Sequence, residues 1–145
     1  MAGIVVSCGV IVISVITNTS IKNEEDIQKC SGLSVLGTIP DYKGGKKRKE
    51  KIIWPDELPF SVAEAIYQLR TAILYSSKDV KMIAVTSAFE NQGKSFISFH
   101  LAYSLSQVGK RVLLVDTDMR KSVLQRRMGL EGVKLGLSEY LSGNA

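Results

Sequence analysis

The feature that most constrains this chain is a loop ending in Gly93-Lys94-Ser95, which lies between an apolar run and a segment of helical periodicity. Met82 to Thr86 is typical of a buried strand, and the apolar residues from Phe96 to Val108 lie close to helical spacing, with Gly109 as a stop. Such a loop offers a triphosphate backbone N–H groups, a cation and a hydroxyl for Mg²⁺. The sequence therefore predicts a phosphate-binding loop.

The loop departs from the usual pattern G-x-x-x-x-G-K-[ST] at one position, because Ala88 stands at the first glycine. Asn91 favours the loop nevertheless, since asparagine is the commonest non-glycine residue to accept a positive φ. The alternative is an ordinary strand-turn-helix with an incidental lysine. The residues predicted to bind the nucleotide are Asn91, Gln92, Gly93, Lys94, Ser95 and Phe96.

An acidic pair follows a second apolar run, Val112 to Val115, at Asp116-Thr-Asp118. The carboxyl ends of neighbouring parallel strands meet at one edge of a sheet, so this pair is expected close to the phosphates. Mg²⁺ prefers one or two carboxylates together with phosphate oxygens. The sequence thus predicts a nucleotide and magnesium site, in which Ser95 and Asp116 are the metal ligands.

The net charge of +5 has a local origin, since residues 43–51 hold six cations and one glutamate. No nucleic-acid-binding surface is needed to explain it. A run of this kind is either held to anionic lipid or is a solvated linker. Two cysteines 22 residues apart and a single histidine, His100, support neither a disulfide framework nor a zinc site. His100 lies in the predicted helix after the loop, where a packing or surface role is expected.

Residues 2–16 are apolar and uncharged. Fifteen residues fall short of the ~20 that span a bilayer, so the segment is interpreted as the end of a membrane helix. A signal peptide and a buried β-rich segment are the alternatives. The positive residues all follow this segment, which by the positive-inside rule places the chain after about residue 20 in the cytoplasm, at the inner (plasma) membrane.

Three regions follow from composition. Residues 1–20 are predicted to be a partial transmembrane helix, residues 21–60 a juxtamembrane segment with a basic linker, and residues 61–145 the first half of an α/β domain with a P-loop NTPase-like parallel sheet. Ser61 to Glu64 is a capping-box pattern that opens a predicted helix as far as Tyr75. Two strands make an incomplete sheet, because a doubly wound domain usually has five or more.

These residues together resemble the bacterial tyrosine kinases of capsule and exopolysaccharide synthesis, preceded by the membrane segment of a polysaccharide co-polymerase. Phe89 stands where the related septum-positioning and plasmid-partition ATPases carry a signature lysine, which favours the kinase branch. The stretches that carry the resemblance are the apolar run with its continuation to Asp26, Gly32 to Pro40, Ala63 to Ile73, residues 88–95 and Val112 to Arg120.

The resemblance implies an autophosphorylating, ATP-dependent tyrosine kinase, with the present residues as an inactive fragment of it. It assigns Lys94 to the phosphates, Asp116 to Mg²⁺ and catalysis, and Asp118 to orienting or deprotonating the tyrosine hydroxyl. It also implies a homo-oligomeric ring, in which Glu64 and Arg70 match family positions, and contact with the polysaccharide export machinery. A non-catalytic, ATP-responsive membrane adaptor for polysaccharide chain length and a partition- or septum-type P-loop ATPase are the alternatives.

The orientation can be tested with a reporter fused after Lys51. If residues 2–16 end a membrane helix and the basic run is cytoplasmic, only a reporter that works in the cytoplasm should be active. Activity of a reporter that works in the periplasm would overturn the orientation and favour the signal-peptide alternative.

Overall fold

A computed structural model describes residues 24–42, 52–76, 80–119, 123–130 and 136–144. The chain divides between Val35 and Leu36 into two compact units. The α-helices within the described ranges are Glu24–Ser31 (α1), Phe60–Ser76 (α2), Lys94–Gln107 (α3), Val123–Arg127 (α4) and Leu137–Leu141 (α5), with a short 3₁₀ helix at Pro55–Glu57.

Helix α1 belongs to the first unit and is held by local contacts. Lys29 pairs with Glu25 one turn earlier at 3.6 Å, and both side chains are exposed. The Ser31 hydroxyl donates to the carbonyl of Ile27 at 2.6 Å. Gly32 follows with φ of 67°, a left-handed conformation that ends the helix.

Helix α2 confirms the predicted helix almost to the residue. It begins at Phe60, one position before Ser61 of the predicted capping box, because the Pro59 carbonyl accepts the N–H groups of Val62 and Ala63. Its buried face packs against α3, where Ile73 joins a cluster completed by Leu101, Leu105, Leu69 and Leu74. Full burial of one such aliphatic side chain contributes about 1.5–3 kcal/mol.

A second apolar cluster lies on a different side of α3. Phe99 packs there with Ile52, which follows the basic run, and with Leu124 of α4. Leu114 and Met128 are partly buried against the same cluster. Helix α3, which begins at Lys94 of the loop, is therefore packed on two sides. As predicted, it ends before Gly109, which has φ of 76°.

The predicted parallel sheet is not formed. Over the described residues there is no strand, and residues 80–87 and 110–118 form neither a helix nor a paired ladder. A parallel strand needs hydrogen-bonding neighbours and cover on both faces. Met82 and Leu113, in the segments predicted as strands, are instead 88% and 86% exposed. β-rich composition alone therefore did not produce pairing.

The predicted membrane segment, residues 2–16, lies outside the described residues, as does the basic run 43–50 with Lys51. Among the helices that the structure describes, none is both long and apolar enough to cross a bilayer. The partial transmembrane helix thus stays a prediction.

His100 has the packing role that the sequence favours. Its side chain is buried, with Nδ1 2.8 Å from the carbonyl oxygen of Phe96 and Nε2 3.0 Å from that of Ile53. The Phe99 ring meets it edge-on, with centroids 5.2 Å apart. Burial lowers the pKa of His100 below its ordinary value of 6.5, and the two carbonyls oppose that shift only in part.

Acid should therefore destabilise the chain through His100. The unfolded histidine takes up a proton near pH 6.5, whereas the buried one resists it until a lower pH. The contribution to the free energy of unfolding is present above pH 6.5 and is lost as the pH falls towards the folded pKa, by at most about 1.4 kcal/mol per pH unit. Urea unfolding at about pH 7.5 and about pH 5.5 measures this change. His100→Gln should lose less stability over the same interval, and an equal loss in both proteins would contradict the assignment.

Candidate nucleotide-binding site

The loop that leads into α3 has two residues in left-handed conformation. Asn91 has φ of 61°, which confirms the prediction from its residue type, and Gly93 has φ of 89°. A β-carbon added at Gly93 would meet no atom within 4 Å, so the backbone angle and not crowding requires glycine. Turns of alternating hand direct successive N–H groups towards a common point and so form concavities that bind anions.

The N-terminus of α3 suits an anion. Gly93 is the N-cap and has no side chain to bind the first-turn N–H groups, while its carbonyl accepts the N–H of Ile97 at 2.9 Å. The first N–H groups of any α-helix lack intrahelical acceptors, and the helix dipole adds partial positive charge there. The first turn of α3 contains no acidic residue that would compete. Phosphate oxygens can therefore bind at this end.

Lys94 folds back over the loop that precedes it. Its ammonium donates to the hydroxyl oxygen of Ser87 at 2.8 Å and to the carbonyl oxygen of Phe89 at 3.3 Å. The Ser87 hydroxyl in turn donates to the Phe89 carbonyl at 2.7 Å, and the Gln92 side-chain oxygen accepts the Phe89 N–H at 3.3 Å. Since both acceptors of Lys94 are neutral oxygens, its charge stays available to a phosphate.

Ser87 is a member of this network that the motif did not predict. It lies just before the eight-residue loop, and its only signal in the sequence is a hydroxyl at the end of the apolar run. Its own proton is used on Phe89, so its oxygen faces Lys94 as an acceptor. The loop lysine is thereby held in place before any ligand arrives.

The two predicted aspartates lie together in one tight turn. The N–H of Asp118 donates to Oδ1 of Asp116 at 3.0 Å, and the N–H of Met119 donates to the Thr117 carbonyl at 3.0 Å. Asp116 is half-buried and Asp118 is exposed. An aspartate side chain that accepts the N–H two residues later is a common turn former. The turn therefore gives the two residues different degrees of burial.

The oxygen donors predicted for the metal, on the loop and in the aspartate turn, fit magnesium better than a transition metal. Within the described ranges, no three His, Cys, Asp or Glu residues gather to hold a metal ion. Mg²⁺ does not need such a cage, because it usually takes one or two carboxylates, waters and substrate phosphates. The half-buried Ser95 hydroxyl and the Asp116 carboxylate are hard oxygen donors of the required kind.

Comparison with known families identifies the class of protein. Residues 83–138 match the family described as the CobQ/CobB/MinD/ParA nucleotide binding domain. This range contains the Lys94 loop, helix α3 and the Asp116 turn, which are the parts of the predicted site. This stretch of the chain thus fits a P-loop NTPase-like nucleotide-binding domain.

The individual relatives are named as tyrosine-protein kinases. The chain is 47% identical over 77 residues to the tyrosine-protein kinase CpsD of Streptococcus agalactiae, covering 53% of this chain and 34% of that protein. It is 30% identical over 156 aligned residues to the tyrosine-protein kinase wzc of Salmonella typhi, covering 97% of this chain and 21% of the relative. Ralstonia solanacearum EpsB, whose name also refers to tyrosine-protein kinases, is 36% identical over 138 residues, covering 86% and 18%.

The comparisons support a bacterial tyrosine kinase of capsular or exopolysaccharide biosynthesis, the family that the motifs of this chain resemble. The chain spans between about a fifth and a third of the length of these relatives.

Loss of the Ser87 hydroxyl should weaken nucleotide binding. In Ser87→Ala the ammonium of Lys94 keeps only its hydrogen bond to the Phe89 carbonyl. The lysine side chain is then less ordered before binding, and it loses more conformational entropy when it binds phosphate. We expect Mg·ATP to bind about five-fold more weakly, equivalent to about 1 kcal/mol for one hydrogen bond. Calorimetry measures the change, with Ser87→Thr as the control that keeps the hydroxyl. Unchanged binding by Ser87→Ala would refute this role of the hydroxyl, and tighter binding would show that the network competes with the nucleotide.

Proposed function

We propose that this chain is the nucleotide-binding portion of an autophosphorylating protein tyrosine kinase that uses ATP and regulates capsular or exopolysaccharide synthesis and export. One observation carries the proposal. A half-buried lysine held by neutral oxygens lies at a helix N-terminus, and it does so in the region that matches a nucleotide-binding family. The names of the relatives support the choice of tyrosine as the acceptor.

The proposed roles follow from the chemistry of each residue. Backbone N–H groups of residues 91–96 and the Lys94 ammonium hold the phosphates of ATP, as charge-assisted donors. Ser95 and Asp116 hold Mg²⁺, which when bound neutralises charge on the phosphate oxygens. Asp118, exposed at the end of its turn, orients the tyrosine hydroxyl or accepts its proton. Catalysis is then mainly positioning and charge neutralisation.

Attachment to the inner membrane is part of the proposal. The alignment with the Salmonella typhi kinase leaves only a few residues of this chain outside it, so most of the apolar residues 2–16 lie in the shared region. A membrane helix ending near residue 20, a juxtamembrane connection over 21–60 and a kinase portion from 61 are the proposed organisation. The proposed partners are the polysaccharide co-polymerase and export machinery and further copies of the same chain in a ring.

A P-loop ATPase of the partition or septum type is the second candidate. It is favoured by the matching family, whose description includes MinD and ParA. Phe89 argues against this candidate, because it stands at the loop position where those ATPases carry a signature lysine. The Phe89 side chain is 74% exposed there. A large apolar side chain cannot supply the charge of that lysine.

Removal of the Lys94 ammonium tests whether the loop binds nucleotide, as both the kinase and the ATPase require, or has only a structural role. Lys94→Ala should bind Mg·ATP at least about ten-fold more weakly, since charge-assisted hydrogen bonds contribute about 1.5–3 kcal/mol each. Lys110→Ala, which removes an exposed lysine after the other end of α3, is the matched control and should bind normally. Calorimetry measures both, and equal affinities would refute the site.

The intact gene product, incubated with Mg·ATP, should then accumulate phosphotyrosine. Lys94→Ala and Asp118→Asn should abolish it, while Lys110→Ala should not. Release of inorganic phosphate without phosphotyrosine would favour the ATPase candidate, and binding without either product would favour a non-catalytic adaptor.

A further inference from the structure

Residues 52–54 lie against the nucleotide-binding helix although they form no helix or strand themselves. We name them the strap. Ile52 and Ile53 are only 9% and 7% exposed, and the strap directly follows the basic run in the sequence. The N–H of Ile52 donates to the carbonyl of Arg127 at 3.0 Å. The strap is therefore tied to α4, the helix that follows the aspartate turn.

The same strap is also tied to α3. The Ile52 side chain packs with Phe99, and the Trp54 ring meets the Phe99 ring edge-on, at 5.8 Å between centroids and 77° between planes. Phe99 lies a little over one turn after Lys94. The strap thus packs against the N-terminal part of α3, the same part of the helix to which the loop is attached.

His100 provides the polar part of this contact. The Ile53 carbonyl lies in a buried residue outside regular secondary structure, so it needs a donor from elsewhere. His100 Nε2 lies 3.0 Å from it. The other ring nitrogen faces the carbonyl of Phe96, in the first turn of α3, at 2.8 Å. One imidazole therefore lies against both the strap and the helix turn that is proposed to hold phosphate. The neutral ring has a single N–H, so it donates to one of these carbonyls at a time, and the tautomer with the proton on Nε2 is the one that holds the strap.

We propose that His100 is a positioning residue that couples the strap to the nucleotide site. The coupling rests on the proposed function only in that the site binds a nucleotide. When the strap is docked, the first turn of α3 is held in the conformation that receives phosphate; when the strap leaves, that support is lost. Because coupling between two sites is reciprocal, nucleotide must also hold the strap more firmly.

The chain carries its own reporter, because Trp54 is its single tryptophan and lies in the strap. The experiment titrates the full chain with Mg·ADP. It follows the emission of Trp54 and its quenching by acrylamide, while calorimetry measures binding independently. We expect nucleotide to protect Trp54 from quenching, with the same midpoint as the calorimetric Kd.

Variants of His100 test the link itself. His100→Ala should bind Mg·ADP about five-fold more weakly, because it loses a hydrogen bond of about 1 kcal/mol, and its Trp54 should not respond to nucleotide. His100→Gln keeps a side-chain donor and should recover part of both effects. Ser106→Ala, which removes an exposed hydroxyl from α3, should behave as wild type. A merely structural histidine would change stability without changing the response of Trp54.

The outcomes separate this proposal from the proposed function. If calorimetry shows binding but the quenching of Trp54 in the wild type does not change, the coupling is refuted and the nucleotide site stands. If the wild type binds no Mg·ADP, the proposed function fails and the coupling fails with it. If His100→Ala does not fold, the comparison of the wild type with His100→Gln still tests the coupling. An equal change in Trp54 quenching in these two proteins, despite different affinities for Mg·ADP, would contradict it.

Discussion

The burial of α3 between two apolar clusters is the interaction on which the remaining structure depends. One cluster joins it to α2 through Ile73, and the other joins it to Ile52 and Leu124 through Phe99. A helix packed on one side can rock, whereas one packed on two sides holds its ends in place. The Lys94 loop is attached to such an end, so the precision of the site derives from contacts that never touch a ligand.

Local rules account for the parts of the site that the sequence predicted. The spacing of Gly93, Lys94 and Ser95 fixed the loop, residue type fixed the positive φ of Asn91, and glycine fixed the end of α3 at Gly109. Each depends on a few consecutive residues. The turn that joins Asp116 to Asp118 is equally local. These features follow from backbone sterics and short hydrogen bonds, which a sequence states directly.

The features that the sequence did not predict depend on distant partners. Ser87 acquires its role only when Lys94 folds back onto it, and the carbonyl of Ile53 meets His100 across 47 positions of the chain. The sheet fails for the related reason that a strand is defined by neighbours. Residues 80–87 and 110–118 have the composition of strands, but Met82 and Leu113 remain exposed to water. Hydrophobic periodicity predicts which residues can be buried, but it does not predict which residues pack against them.

The open space around Gly93 has a consequence for the kinds of residue that this position accepts. Apart from the residues next to Gly93 in the chain, no atom of the described residues lies within 4 Å of an added β-carbon, so volume is not the limit there. The limit is handedness, because an L-residue at φ of 89° brings its β-carbon against its own backbone. A D-alanine introduced by chemical synthesis has the opposite preference and would adopt this angle readily, whereas L-alanine of the same size would not. Before a ligand binds, this position therefore selects its residue by handedness and not by volume.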